Sequence, residues 1–571
     1  MSESEHAMED PPRWLAAYGE VPHHLAYPEC SLHDAIMATV RRVPDAVAYD
    51  FLGASVTYRE FGRLIDQVAD AFAALGMRPG DRITIALPTS PQGVIAYYAV
   101  NRLGAVSAMI HPLSTAQEVE RLITLSRSRF ALTLDALHDR FAGAPGRTPL
   151  ETLILTRLSD ALPPLRRLAY WLVQGRKTPA VPRDAPVRWW KDLVTRPWPP
   201  ASRPVLDTHA LAGILFSGGT LGTPKGIMLS HRNFIADGMQ LAAWARLRDG
   251  DRMLAALPIF HGFGLGGLVN AGFLTGARVI LVPRFSADTA AKLIQKNRPN
   301  VIAGVPTLYD AMCRDPEFQR ADLSCLRAAF SGGDALPASI KDRFERLVAE
   351  RGGSVRLLEG YGLTEAVTGV MVMPMHAARE GSVGVPLPDM LASICRPGTD
   401  EELPVGEDGE ICAHGPAVML GYLDDPAATA RVLKQHGDGR TWLHTEDIGH
   451  RDADGYFYFR GRLKRMIKSS GFNVYPAEVE QVIGQHLAVA AVCVVGVPDP
   501  SQGERVKAFV VLRSGQAPSP ALAQEIMAYC RERLIKWSCP REVEFRTEFP
   551  RTRLGKVDFR ALARSEPGAG H

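Results

Sequence analysis

Leu211-Ala-Gly-Ile-Leu-Phe216 runs without a break into Ser217-Gly218-Gly219-Thr220-Leu221-Gly222-Thr223-Pro224-Lys225-Gly226. A short apolar run stopped by glycines reads as a buried strand, and the loop after it is built to hold an anion. Glycines let successive N–H groups converge, the hydroxyls of Ser217, Thr220 and Thr223 add donors, and Lys225 brings a positive charge on a long stem. The common nucleoside-triphosphate loop needs Gly-Lys-Ser/Thr, whereas Lys225 lies between Pro224 and Gly226, so a different phosphate chemistry is implied. Alone, such a loop also fits a tight turn with no ligand.

Strand-like and helical patterns alternate on both sides of the loop. Asp81-Arg-Ile-Thr-Ile-Ala-Leu87 reads as a strand, 92–103 as a helix and Ala105-Val-Ser-Ala-Met-Ile110 as the next strand, and the rhythm returns at 278–282 and 301–304. This spacing predicts parallel sheets covered by helices. Beyond the turn Asp452-Ala-Asp-Gly455, the runs 492–495 and 507–512 read as strands of a small α+β unit. The expected architecture is α/β: a large N-terminal domain, 1–461, with parallel-sheet subdomains and a β-rich subdomain, then a small mobile C-terminal domain, 462–571.

The bulk properties exclude several classes. The 571 residues are 46% hydrophobic and 22% charged with a net charge of +3, an ordinary globular balance with length for about three to four compact units. No basic run with interleaved aromatics points to nucleic acid. The eight cysteines form no C-x-x-C pair and the opening Met-Ser-Glu-Ser-Glu carries acid, so reduced thiols in the cytoplasm are expected. No run approaches the roughly 18 apolar residues of a membrane span. Residues 155–200 stand apart, with nine Lys/Arg against three acids and Trp171, Trp189, Trp190 and Trp198. They read either as a peripheral membrane contact or as an excursion packing its tryptophans on the domain, since eight prolines interrupt any long amphipathic helix.

Other motifs follow in order: Ala256-Leu-Pro-Ile-Phe-His261-Gly262, Ser331-Gly332-Gly333-Asp-Ala-Leu-Pro337, Gly360-Tyr361-Gly362-Leu363-Thr364-Glu365, His444-Thr-Glu-Asp447, Gly461-Arg462-Leu-Lys464-Arg-Met-Ile-Lys468-Ser-Ser470-Gly471 and Pro550-Arg-Thr-Arg-Leu-Gly555-Lys556. With the loop at 217–226 this series resembles the adenylate-forming superfamily, from about residue 30 to 562. Acyl- and aryl-CoA synthetases, peptide-synthetase adenylation domains and beetle luciferases belong to that superfamily.

The resemblance implies an ATP- and Mg²⁺-dependent ligase that activates a carboxylic acid as its adenylate and passes the acyl group to the thiol of CoA. A medium- or long-chain fatty acid is the expected substrate. Delivery to a carrier-protein phosphopantetheine, an aryl acid substrate, and a nucleotide-binding regulator without turnover are the alternatives. The resemblance gives Ser217, Gly218, Gly219, Thr220 and Gly222 to the triphosphate, and Lys225 to the departing pyrophosphate. Glu365 is assigned to Mg²⁺, a hard cation that seeks a carboxylate beside phosphates. Tyr361 is assigned to adenine together with Gly332 and Gly333, Thr364 to cofactor binding, Asp447 and Arg462 to the ribose, and His261 to the acyl end. Lys556 would bridge carboxylate and α-phosphate, Lys464 would be the hinge, and Lys468, Ser470 and Gly471 would face the site during thioester formation. The small residues of Gly262-Phe-Gly-Leu-Gly-Gly267 suggest an apolar acyl channel.

Three positions depart from the family pattern. Gly218 and Leu221 stand where hydroxyl residues are usual, each removing a phosphate donor, and Glu446 replaces a glycine before Asp447. One lost hydrogen bond to a charged group is worth roughly 1.5–3 kcal/mol, enough to slow the reaction but not abolish it.

Overall fold

The computed structural model describes residues 12–173, 181–182, 185–217, 224–469, 472–499, 502–551 and 557–565. The chain forms two compact units, one of Met1–Leu391 with Ala413–Gln435, the other of Ala392–Cys412 with His436–His571.

In the first unit, valine, isoleucine and leucine runs build two sheets buried on both faces, as parallel strands require. One sheet has the order Gly421–Tyr422, Lys225–Ser230, Leu211–Ser217, Val106–Met109, Arg82–Ala86, Phe130–Leu134, Thr152–Thr156, Val187–Trp189. Its strands from Leu211–Ser217 to Val187–Trp189 pair in parallel, while Lys225–Ser230 turns back antiparallel. The other sheet repeats this plan. Val47–Phe51, Arg278–Leu281, Arg252–Ala255, Val301–Gly304, Ala328–Gly332 and Leu357–Gly362 run in parallel, and Gly369–Val372 then returns antiparallel. The helix Pro91–Arg102 has every residue buried, which its near-continuous apolar sequence allows. Proline at its first position suits a helix start, where the missing N–H has no intrahelical partner.

Both reversals fall at the carboxyl ends of parallel strands, where open α/β sheets bind ligands. One lies between Ser217 and Lys225, the other between Gly362 and Gly369. Each is a place where the sequence has a motif.

The second unit is antiparallel where it begins. Thr441–Arg451 pairs with Phe457–Arg462, putting Asp447 directly opposite Arg462. Its C-terminal portion is the α+β arrangement read from sequence. The runs at 492–495 and 507–512 extend into one long pair, Val489–Asp499 with Gly503–Leu512, flanked by Ile467–Ser469 and by the parallel strand Glu542–Arg546. Val479 and Ile483 of the helix Pro476–Gly484 and Ile526 of Pro520–Arg531 close its core against Val494, Val506 and Val510.

Candidate active site

Lys225 begins its strand directly opposite Ser217 in the ladder. Gly218, Gly219, Thr220, Leu221 and Gly222 lie outside the described residues, as do Ser470, Gly471 and Lys556. The Lys225 ammonium sits 4.1 Å from the centre of the Tyr422 ring, and the Tyr422 hydroxyl donates to Glu365 Oε1 at 2.9 Å. One buried phenol therefore joins the lysine and the carboxylate that the resemblance gives to pyrophosphate and Mg²⁺. The motif reading missed Tyr422. It arrives on the edge strand Gly421–Tyr422, laid against Lys225–Ser230 with Tyr422 opposite Ile227, far along the chain from either partner. A cation over an aromatic face gains about 0.5–2 kcal/mol, which fixes Lys225 without committing its charge to a carboxylate.

Glu365 is half-buried on the short turn Thr364–Ala366, and its backbone oxygen accepts from Met419 N at 2.8 Å. The next residue, Val367, is buried at φ 58 and ψ −64, and Thr368 N donates to Ala366 O at 2.6 Å. That is a γ-turn of the rare left-handed kind, and a β-branched residue held in it stores about 1–3 kcal/mol. Two glycines make it possible. A methyl on Gly362 would overlap the Thr368 carbonyl oxygen, and one on Gly262 the Val367 carbonyl oxygen. Gly362→Ala should therefore displace the Glu365 turn and lower kcat roughly a hundredfold, the usual cost of shifting a reacting group by about 1 Å. Steady-state kinetics beside a melting curve decides it, and kcat within threefold of wild type would contradict the packing argument.

Close packing also accounts for Gly264 and Gly266, where a side chain would meet the Pro258 carbonyl and the buried Asp237 carboxyl. Asp237 accepts from Gly369 N at 3.2 Å, and burial holds its carboxyl well above the usual range. His261 is exposed and begins the turn Gly262–Gly264, its Nδ1 accepting from Phe263 N at 3.2 Å. The ring proton is thereby placed on Nε2.

Among the residues that the resemblance gives to adenine, Gly332 lies opposite Gly360 where two parallel strands end, and the Tyr361 side chain is mostly buried. Between them the structure adds a residue the motifs did not mark. Glu359 Oε1 accepts from Leu336 N of the loop 331–337 at 3.2 Å. Burial pushes the Glu359 carboxyl from 4.5 up to about 7, against the opposing pull of the Leu336 hydrogen bond. Because the folded state holds this proton more tightly than the unfolded chain, stability is greatest at low pH and is lost as pH rises through about 7. Glu359→Gln should flatten the Tm profile over that window and leave the variant about 2–3 kcal/mol more stable than wild type near pH 8. Parallel Tm profiles for the two proteins would refute this.

The second unit carries Asp447 and Arg462, which the resemblance gives to the ribose. Asp447 is buried, its N–H donates to Thr445 Oγ1 at 3.1 Å, and Arg462 Nε lies 3.4 Å from its Oδ1. Glu446 has φ 59, which explains why the family favours glycine there: the position is left-handed. Glutamate is accommodated because its N–H donates to Glu410 Oε1 at 3.0 Å and its carboxylate takes Lys464 Nζ at 2.7 Å. The exposed Lys468 is anchored by its backbone N–H, which donates to Glu504 at 2.7 Å.

The AMP-binding enzyme model matches residues 36–423, and the AMP-binding enzyme C-terminal domain matches residues 478–556. The chain belongs to the AMP-binding enzyme family. A long-chain-fatty-acid–CoA ligase of Bacillus subtilis (strain 168) is 35% identical over 566 residues, covering 98% of this chain and 99% of its own. A feruloyl-CoA synthase of Amycolatopsis sp is 34% identical over 520 residues, covering 90% of this chain and 95% of its own. The crystal structure of ATP-bound MatB from Rhodopseudomonas palustris has a TM-score of 0.81 at 26% identity, with 94% and 99% of the two chains covered. The enzyme class is that of adenylate-forming ligases, and the fold class is the one read from sequence. No described helix is long and apolar enough to cross a membrane.

Proposed function

We propose that this chain activates a medium- or long-chain fatty acid with ATP and Mg²⁺ as the acyl-adenylate and transfers the acyl group to CoA. The observation that carries the reading is the Lys225–Tyr422–Glu365 series, which joins a cation opposite the carboxyl end of Leu211–Ser217 to a carboxylate just past the carboxyl end of Leu357–Gly362. Substrate class is supported by full-length similarity to a long-chain-fatty-acid–CoA ligase.

A carboxylate is a poor electrophile, and exchange of its oxygen for AMP supplies the leaving group. Lys225 moves from the Tyr422 ring to the departing pyrophosphate, and Lys556 brings its charge to the carboxylate attacking the α-phosphate. Glu365 suits Mg²⁺. Tyr422 orients Oε1, and Oε2 makes no hydrogen bond among the described residues, which leaves a hard donor. The cation, when bound, neutralises phosphate charge. Asp447 accepts from the ribose hydroxyls, Arg462 steadies it, and Tyr361 stacks on adenine beside Gly332 and Gly333. In the second step residues 462–571 move as a body about Lys464, and the thiolate attacks the acyl carbon and expels AMP.

The first test offers wild type a fatty acid, ATP and Mg²⁺ with either CoA or a phosphopantetheinylated carrier protein, and identifies products by mass spectrometry. Acyl-CoA is expected. Acyl-carrier protein with no acyl-CoA would reassign the acceptor, and turnover of ferulate in preference to palmitate would reassign the acid, as similarity to the feruloyl-CoA synthase allows.

The reading includes peripheral contact with an anionic bilayer within residues 155–200. Trp189, Trp190 and Trp198 do not carry it. Trp190 is buried, Trp189 lies under the Arg157 guanidinium at 4.9 Å, and Trp198 Nε1 donates to Leu193 O. Support comes instead from the helix Pro164–Val173, which exposes Leu165 by 84%, Leu168 by 56% and Leu172 by 49% at helical spacing. From 161 to 183 the sequence has five Lys/Arg and no acid. Replacing all three leucines with glutamine should abolish cosedimentation with vesicles containing anionic phospholipid while leaving turnover of a short soluble acid intact. Equal sedimentation of both proteins would exclude the helix as the contact.

A further inference from the structure

The second unit contains a group of side chains for which the ligase chemistry has no use. Cys412, His436 and His444 bring one sulfur and two imidazoles together so that a ligand atom from each lies within 4.8 Å of the others. We propose that Cys412, His436 and His444 form a binding site for a zinc-class divalent cation that braces the turn presenting Asp447.

The protons on these groups fix which atoms can ligate. Glu410 is buried, and each of its oxygens takes a backbone donor, Gly398 N on Oε2 and Glu446 N on Oε1, both at 3.0 Å. Glu410 is thereby placed as an acceptor, so His444 Nδ1, 2.9 Å from Glu410 Oε2, donates to it and leaves Nε2 as the lone pair. That lone pair points to His436 Nε2 at 3.0 Å. Two ring nitrogens so close share either a proton or a metal ion. Nitrogen ligands on a tetrahedral zinc ion sit about 3.3 Å apart, close to the spacing here. His436 is held for the task by its ring stacked on Trp442, interplanar angle 14°, and by the turn in which its N–H donates to Arg440 O. The third ligand, Cys412, packs its Sγ against the same ring, 3.5 Å from His444 Nδ1.

The donor set selects among metals. One thiolate and two imidazoles suit Zn²⁺, or Co²⁺ as its spectroscopic substitute, and disfavour Mg²⁺ and Ca²⁺. Glu410 is the carboxylate that orients a ligating histidine through its far nitrogen. The same carboxylate accepts from Glu446 N at 3.0 Å, so the cluster is linked through His444 and Glu410 to the backbone next to Asp447. Binding needs Cys412 as thiolate and both imidazoles neutral, so the cation is released as pH falls. Sequence inspection cannot reveal the site, because the three ligands come from different stretches and match no short spacing motif.

The test uses the full chain, stripped with chelator under reducing conditions and reconstituted with Zn²⁺ or Co²⁺. Expected are one equivalent of zinc retained per chain after dialysis, a rise in Tm with zinc, and for cobalt a thiolate-to-metal charge-transfer band with tetrahedral ligand-field bands. His436→Ala, which removes a half-buried ring outside the catalytic machinery, should weaken zinc binding roughly a hundredfold and abolish the zinc-dependent rise in Tm. Cys412→Ser should lose the charge-transfer band. The proposal is overturned if wild type retains no more zinc than His436→Ala, if the cobalt spectrum lacks the thiolate band, or if Cys412 proves to be disulfide-linked to the neighbouring Cys395 in protein that binds no metal. Each of these readouts is independent of ligase turnover.

Discussion

Glu365→Gln is expected to slow acid-dependent pyrophosphate release roughly a thousandfold at saturating ATP, with Tm almost unchanged. Glutamine has the size of glutamate and keeps an oxygen for the Tyr422 hydroxyl, which donates to Oε1 at 2.9 Å, so the turn Thr364–Ala366 should hold. What disappears is the negative charge on the free oxygen, the donor offered to a divalent cation. A carboxylate contributes to such a site by charge more than by shape, so the variant should also need far more Mg²⁺ to reach half its own maximal rate. A titration of rate against Mg²⁺ measures both effects. A rate within threefold of wild type with an unchanged Mg²⁺ dependence would remove Glu365 from the metal role and leave the Tyr422 contact as a packing feature.

The second large effect separates the two half-reactions. Lys556→Ala is expected to lower adenylate formation roughly a thousandfold, while transfer from preformed acyl-AMP to CoA stays within a few-fold of wild type. The reason is local. Charge accumulates on the carboxylate and α-phosphate oxygens only while the adenylate forms, and a lysine that neutralises it there has nothing to stabilise once AMP is the leaving group. Lys464→Pro should give the opposite split. Proline fixes φ and removes the N–H of a residue proposed to change conformation between steps, so thioester formation slows and adenylation persists. Equal losses in both half-reactions for either variant would argue against separate roles and against a moving body hinged at Lys464.

Much of the fold was legible because several strands are short apolar runs with glycine or proline close behind. Strands at Arg82–Ala86, Val106–Met109 and Val301–Gly304 and the helix Pro91–Arg102 fall where the pattern puts them. Glycine-rich motifs were legible for the same reason, since Gly362 and Gly262 sit where a side chain would strike a carbonyl oxygen. What escaped the sequence depends on contacts between distant segments. Tyr422 reaches Glu365 from an edge strand, Glu359 becomes a weak acid through burial, and His436 faces His444 across a turn. The chain also enters the second compact unit early, through residues 392–412, and goes back to the first before returning at His436, with no local sign of either crossing. Glu446 shows the limit from the other side. The missing glycine was visible, but the contacts to Glu410 and Lys464 that accommodate a left-handed glutamate were not.

The most direct test of the central claim is to mix enzyme, palmitate, ATP and Mg²⁺ without thiol, quench within a single turnover, and look for palmitoyl-AMP by mass spectrometry before adding CoA. Palmitoyl-AMP formed in step with pyrophosphate, and converted to palmitoyl-CoA and AMP when CoA is added, is the predicted result. ATP converted to ADP and phosphate, or pyrophosphate release that no carboxylic acid stimulates, would contradict it.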